Sequence, residues 1–339
     1  MSCSGNDEDE KSGVKSYDDQ KAEAMASLES VFSALAKNNV TDPTQIGNFD
    51  FVTPKNKFEE LAKQRPSDAD VKVSLALCQM MSLYADPQFK SYIAEMTNNG
   101  IIQPQDRNQL SIGFIPFNMV QVISNEMLLE NVFLMINKGI SDPNDIDALQ
   151  NHFRTVIIPQ LTSAIKNLED VEALSTPLKE YQYAITGKMM GLSSGPTVYM
   201  DNTEFYMMDS YLEYLKSNLS LYCIIDFKNS DFTIANPDSL TEADLPAILS
   251  QATLYSYGND YAQFFANDMK ASSQDMLKSL VYLQSETDAQ NDDVIRKNPN
   301  LTNAMIGQYI LDAQAAIAEW SLIISAFIDG ILNPPSTPV

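Results

Sequence analysis

The sequence predicts an all-α protein, and three observations predict it. Apolar residues recur at alternating spacings of three and four, the period of one helix face. Glycine is scarce, at 12 of 339 residues, whereas Met and Tyr are plentiful at 16 and 15. The β-branched alternation that strands favour is hard to find. A chain of this length can bury a large core. The expected architecture is a multi-helix bundle or irregular helical-repeat superhelix of about nine to eleven helices.

Residues 1–17 hold the acidic run Asp7–Glu10 and almost nothing to bury, so they are expected to form a disordered acidic tether. Residues 18–335 are expected to fold as one helical domain. The first helix, 18–38, carries Met25, Leu28, Phe32 and Leu35 on one face, with acids early and Lys37 late, as the helix dipole prefers. Residues 55–85 read as two antiparallel helices. Phe58, Leu61 and Ala62 line the first, Pro66 stops it, Ser67 or Asp68 caps the second, and Val71, Leu75, Cys78 and Leu83 are buried. A short helix over 86–98 and an apolar helix over 114–137 follow. A long helix over 143–172 opens at Ser141-Asp142-Pro143 and should kink at Pro159. A further helix is expected over 177–192, with Leu178, Tyr181, Ile185 and Met189 inward.

The stretch from Asp201 to Asp226 is the predicted central post. Phe205, Met208, Leu212, Leu215, Leu219 and Tyr222 form one row, and Met207, Tyr211, Tyr214, Leu221 and Ile225 a second beside it. An apolar arc that wide needs other helices around it. Asp201 and Glu204 have the spacing of a capping box. Beyond a polar interruption at 227–244, where Phe232-Thr233-Ile234 could be extended, helices are expected at 245–256, 259–285 and 302–331. Asn333-Pro334-Pro335 stops the last of these.

Charge narrows the function classes. With 45 acids against 22 bases the formal net charge is −23, a field that repels nucleic-acid backbones and anionic lipid surfaces. No nucleic-acid partner is expected. No run of eighteen apolar residues is present, so none of the sequence reads as a membrane span. Cys78 and Cys223 lie in apolar helical runs, where a free thiol is usually a small core residue; they could form one disulfide if their helices meet.

Cys3, followed by Ser4, Gly5, Asn6 and the run Asp7–Glu10, resembles the mature start of a bacterial lipoprotein. The acidic cluster is similar to the surface-export signal of Bacteroidetes lipoproteins. That resemblance implies acylation of Cys3 once a signal peptide is removed, attachment to the outer membrane on its periplasmic or cell-surface face, and a polar tether leading to the folded body. Several acyl chains on one Cys anchor stably where a single chain does not. The Asp238-Ser239-Leu240 triplet resembles an O-glycosylation acceptor of the same group of secreted proteins, implying Ser239 as the modified residue. The 55–85 unit, with Pro66-Ser67-Asp68-Ala69 between its helices and small Ala76 in the second, resembles a tetratricopeptide repeat, though no second copy recurs at a fixed period.

Catalytic and metal signatures are weak. Gly191-Leu192-Ser193-Ser194-Gly195 fits a G-x-S-x-G nucleophile elbow in spelling, but the elbow needs a preceding strand and a later histidine. The segment before it reads as a helix, and the single histidine, His152, comes earlier. His152 has no H-E-x-x-H context. The oxygen-rich run Ser141–Asp147 lacks the glycine and terminal Glu of a calcium loop. The expectation is therefore no catalytic residue, metal or cofactor. The leading function is a non-catalytic helical scaffold for a protein partner. The second is a carrier of a small apolar ligand held by Tyr181, Met189, Tyr206, Met207, Tyr211 and Tyr214, since Met and Tyr together suit an adaptable pocket.

Overall fold

The computed structural model describes residues 15–38, 40, 43–91, 143–174, 181–193, 195–230, 253–285, 303–311, 313–315 and 317–318. Helix accounts for 74% of them and strand for 4%, so the all-α class holds. In chain order the elements are α1 (Tyr17–Lys37), α2 (Pro43–Ile46), α3 (Val52–Gln64), α4 (Ala69–Leu83), α5 (Pro143–His152), a π turn (Phe153–Ile157), α6 (Ile158–Glu172), β1 (Tyr183–Ile185), β2 (Val198–Met200), α7 (Asn202–Tyr222) and α8 (Gly258–Ser285). Residues 87–91 add one helical turn, and the described parts of 303–318 are helical. The expected tether before Lys15, the helix at 114–137 and the extended trio Phe232-Thr233-Ile234 lie outside the described residues.

Helix starts follow the local chemistry of the chain. Ser16 caps α1, its hydroxyl accepting from the Asp19 amide at 3.2 Å, and Asp68 caps α4 by accepting from the Val71 amide at 3.2 Å. The capping box of α7 is present in full: Asp201 Oδ1 accepts from the Thr203 amide at 2.7 Å, and Glu204 Oε2 accepts from the Asp201 amide at 2.8 Å. These contacts satisfy amides that the first turn otherwise leaves without partners.

Each long helix packs antiparallel on the next described one. α1 meets α3, with Phe32 edge-on to Phe51 at 5.2 Å between ring centres. α3 turns back as α4, and α4 packs on α6. There Gln79 Nε2 donates to Ser163 Oγ at 2.9 Å, and Gln160 Nε2 donates to the Gln79 carbonyl at 2.7 Å. α6 packs on α7, the π turn before α6 places Phe153 edge-on to Tyr222 at 5.8 Å, and α7 packs along α8. The predicted post is enclosed: 18 of the 21 residues of α7 are buried, leaving only Tyr206, Tyr214 and Lys216 partly open. α4 is enclosed as well, with every residue from Val73 to Leu83 buried.

Three segments differ from expectation. Residues 183–185 are not helical; β1 pairs antiparallel with β2 in the register Tyr183 with Met200 and Ile185 with Val198. Burial alternates along both strands, a two-residue period that the spacing of Leu178, Tyr181, Ile185 and Met189 concealed. Gly187, Gly191 and Gly195 then make a helix through the loop costly. Gly191 takes φ +75° against the end of α1, where an added Cβ would meet Ala36 Cβ at 2.9 Å, so only glycine fits. Secondly, the helix expected over 143–172 is interrupted by the π turn just before Pro159. Proline has no amide to donate and its ring crowds the carbonyl four residues back, and a wider turn accommodates both. Finally, the end of the helix expected at 245–256 is extended. Leu254 bridges Ile225, and the Asp226 amide donates to the Thr253 carbonyl at 2.8 Å.

Candidate functional site

The chemically unusual part of the described structure lies where α6, α7 and α8 meet. On α7, Asn202, Tyr206, Asp209, Glu213, Lys216 and Ser220 recur at spacings of four and three, so they share one side of the helix. That side is polar, yet Asp209 is only 1% exposed and Glu213 6%. Alongside run Thr203, Ser210 and Ser217, each seven residues apart, and they meet α8 in antiparallel register. Ser279 Oγ donates to the Thr203 carbonyl at 2.9 Å, Ser210 Oγ lies 3.3 Å from Ser272 Oγ, and Ser217 Oγ donates to the Phe265 carbonyl at 2.8 Å. Small side chains at every second turn let the two backbones approach closely.

Into this seam α8 brings Asp268 and Asp275, both buried, and the C-terminal end of α6 brings Glu172. Lys216 Nζ donates to Asp268 Oδ1 at 2.9 Å, and Lys278 pairs with Asp275. The other acids are close enough to feel one another's charge, Glu172 with Asp209 and Glu213 with Asp275. Four buried carboxyl oxygens have no hydrogen-bond partner: Glu172 Oε1, Asp209 Oδ1, Glu213 Oε2 and Asp268 Oδ2. Burial, followed by the fields of neighbouring acids, pushes the Glu172 carboxyl up to about 7, that of Glu213 to about 9 and that of Asp209 to about 10. Asp268 is also raised by burial, against the pull of Lys216. A carboxyl group that keeps its proton can both donate and accept a hydrogen bond, and burial among other acids favours that form here. Among the described residues no group of three His, Cys, Asp or Glu side chains is arranged to hold a metal ion.

The six Tyr and Met positions expected to line a pocket are distributed over several contacts. Met207, Tyr211 and Tyr214 share a side of α7; the Tyr211 hydroxyl lies 3.2 Å from that of Tyr84, and burial pushes Tyr214 up to about 12. Tyr206 lies on the acid side, with the Lys278 ammonium 5.3 Å from its ring centre. Tyr181 stacks on Phe205 at 5.9 Å and donates to Asp70 Oδ1 at 2.6 Å. Met189 is buried in the hairpin loop between β1 and β2. Cys3 and Ser239 lie outside the described residues.

The remaining motifs resolve locally. A strand does precede the G-x-S-x-G string, but Gly191–Ser193 sit in the β1–β2 loop with Leu192 and Ser193 exposed. His152 Nε2 lies 2.9 Å from Asp86 Oδ2, joining α5 to the turn after α4. Asp147, from the oxygen-rich run, accepts the Tyr255 hydroxyl at 2.7 Å. Cys78 and Cys223 are both free and buried, and burial pushes the Cys223 thiol up to about 12. No helix among the described residues is long and apolar enough to cross a membrane.

Reading for apolar rows alone passes over the acid seam. Its signal is nonetheless written in the chain, as polar residues with the same four-three spacing that the Phe205–Tyr222 row uses to announce burial. The chain matches no family model, no curated protein and no solved structure.

Proposed function

We propose that the chain is a non-catalytic helical module that binds or scaffolds a protein partner in the bacterial cell envelope, carried on a lipid at Cys3. The observation that carries this reading is the packing order, α1 on α3, α3 on α4, α4 on α6, α6 on α7 and α7 on α8. A body in which each helix leans on its neighbours along the chain grows as a stack. Stacks of this kind offer long continuous faces to a partner. The architecture that goes with this reading is an irregular superhelix of about nine to eleven helices. The tetratricopeptide-like pair at 55–85 would be its most regular unit. The lipid half of the proposal rests on Cys3-Ser4-Gly5-Asn6 and the acids behind it. A flexible acidic tether would give the body reach from the outer membrane, and the charge of −23 would hold it off anionic surfaces.

Expression of the precursor in a bacterial host fed labelled fatty acid tests the anchor. Label is expected on the intact protein and absent from the Cys3→Ala variant; an unlabelled protein with a free Cys3 thiol overturns it. Native mass spectrometry of the purified body separates a scaffold from an apolar-ligand carrier. The mass of the chain alone is expected, and a retained small molecule released by organic extraction would favour the carrier, with the Tyr and Met residues of α7 and the hairpin as its lining.

A further inference from the structure

We propose that the meeting of α6, α7 and α8 is a proton-operated joint, closed while the buried carboxyl groups of Glu172, Asp209 and Glu213 keep their protons and loosened at α8 as they ionise.

The geometry carries the argument. Asp209 and Glu213 are buried beside Glu172 and Asp275, and carboxylates held so close without free counter-charges repel, so the arrangement favours protons on them. Three of these four acids also present an oxygen with no hydrogen-bond partner, namely Glu172 Oε1, Asp209 Oδ1 and Glu213 Oε2. The nearby ammonium groups are already committed, Lys216 to Asp268 and Lys278 to Asp275. A charge appearing on Asp209, at 1% exposure, would meet neither a donor nor water, which is the costly case for a buried ion.

The second half of α8 is the part free to respond. From Asp268 onward its buried residues are Asp268, Met269, Ser272, Asp275, Ser279 and Leu283, of which only two are apolar. The polar contacts that join it to α7 there are Ser272 with Ser210, Ser279 with the Thr203 carbonyl, and Asp268 with Lys216. The joint also reaches solvent at its edge, where the Lys278 side chain is 53% exposed and Glu169 lies open on α6.

The charged and titratable groups facing the joint come from three helices: Glu169 and Glu172 on α6; Tyr206, Asp209, Glu213 and Lys216 on α7; Asp268, Asp275 and Lys278 on α8. Of the other elements packed on α7, β2 brings Tyr199, and the π turn brings Arg154, whose field falls on Cys223 at the opposite end. Acids dominate, so ionising one opposes ionising the next. Glu172, Glu213 and Asp209 are all raised by burial and by one another's fields, so they release their protons as a coupled set above the ordinary carboxylate range. A carboxyl that holds its proton more tightly when folded lends stability that is complete below its unfolded value, near 4. That contribution is lost as pH rises through the folded value. The joint is therefore tightest in mild acid and loosens across neutral to alkaline pH, opposite to ordinary acid denaturation.

Hydrogen exchange of the full chain from pH 5.5 to 8.5, corrected for intrinsic rates, tests the proposal. The opening constant of amides in 268–285 is expected to rise with pH from 5.5 upward, by up to about tenfold per pH unit for each proton lost on opening, while 17–83 stays level. Glu172→Gln and Asp209→Asn keep hydrogen-bonding groups without the charge, and each should flatten the rise. Using two separate variants keeps the test open if one of them folds poorly. Protection that is independent of pH, changes that run equally through the chain, or variants that keep the full slope would overturn it. Protection restored at pH 8.5 by calcium rather than by acid would also overturn it, in favour of a cation lock.

Discussion

Single polar side chains hold the ends of the central helix. Gln150, fully buried, donates from Nε2 to the Tyr222 carbonyl and, at 2.7 Å, to the Ile225 carbonyl, while its Oε1 accepts the Tyr255 hydroxyl at 3.0 Å. It closes the C-terminal end of α7 as Asp201 and Glu204 close the other. Gln150→Leu keeps similar bulk but leaves those carbonyls without a donor, at about 1–3 kcal/mol for each buried group left unsatisfied. Urea unfolding should show that loss, whereas the exposed neighbour variant Asn151→Ala should stay within about 0.5 kcal/mol. The capping box was legible in the sequence because its two residues lie three apart. Gln150 was not, because its partners are more than seventy residues away and a glutamine beside Leu149 looks like any helix-surface residue. The carboxyls of the seam were hidden for the same reason: their meaning depends on which helix faces them.

At the scale of elements, helices with a single apolar row were legible almost residue by residue. Leu28, Phe32 and Leu35 on α1, Phe58 and Leu61 on α3, and Val71, Leu75, Cys78 and Leu83 on α4 are all buried as their spacing requires. Failures fell where two periods compete. Tyr181, Ile185 and Met189 satisfy helical spacing, and Tyr183 and Ile185 satisfy strand alternation; three glycines nearby decide for the hairpin. The contact of α7 with α8 is not legible in apolar spacing, since Thr203, Ser210 and Ser217 are polar. Their smallness sets the helix spacing. Ser210→Leu would drive a bulky group against Ser272 and force the helices apart, costing about 1–3 kcal/mol as overpacking does. Ser210→Ala, which removes only one hydroxyl contact, is expected to cost about 1 kcal/mol. Thermal or urea unfolding of the pair distinguishes a spacing role from a merely polar one.

For the whole molecule, stability rests on two enclosed helices, α4 and α7, with α6 between them, rather than on surface charge. Most ion pairs among the described residues are exposed at one partner or both, as in Lys63–Glu60 and Arg65–Asp18, and such pairs contribute little. The acid excess, a formal net charge of −23, favours solubility. The fold is arranged around α7 as its enclosed post. Native-state hydrogen exchange at pH 6 measures this directly, because amides at the centre of a fold exchange only through global unfolding. The amides of 206–222 should be among the slowest in the chain, with opening free energies equal to the unfolding free energy from denaturant. If they open well before α1 does, by a factor of a hundred or so, α7 is a peripheral helix and the account fails.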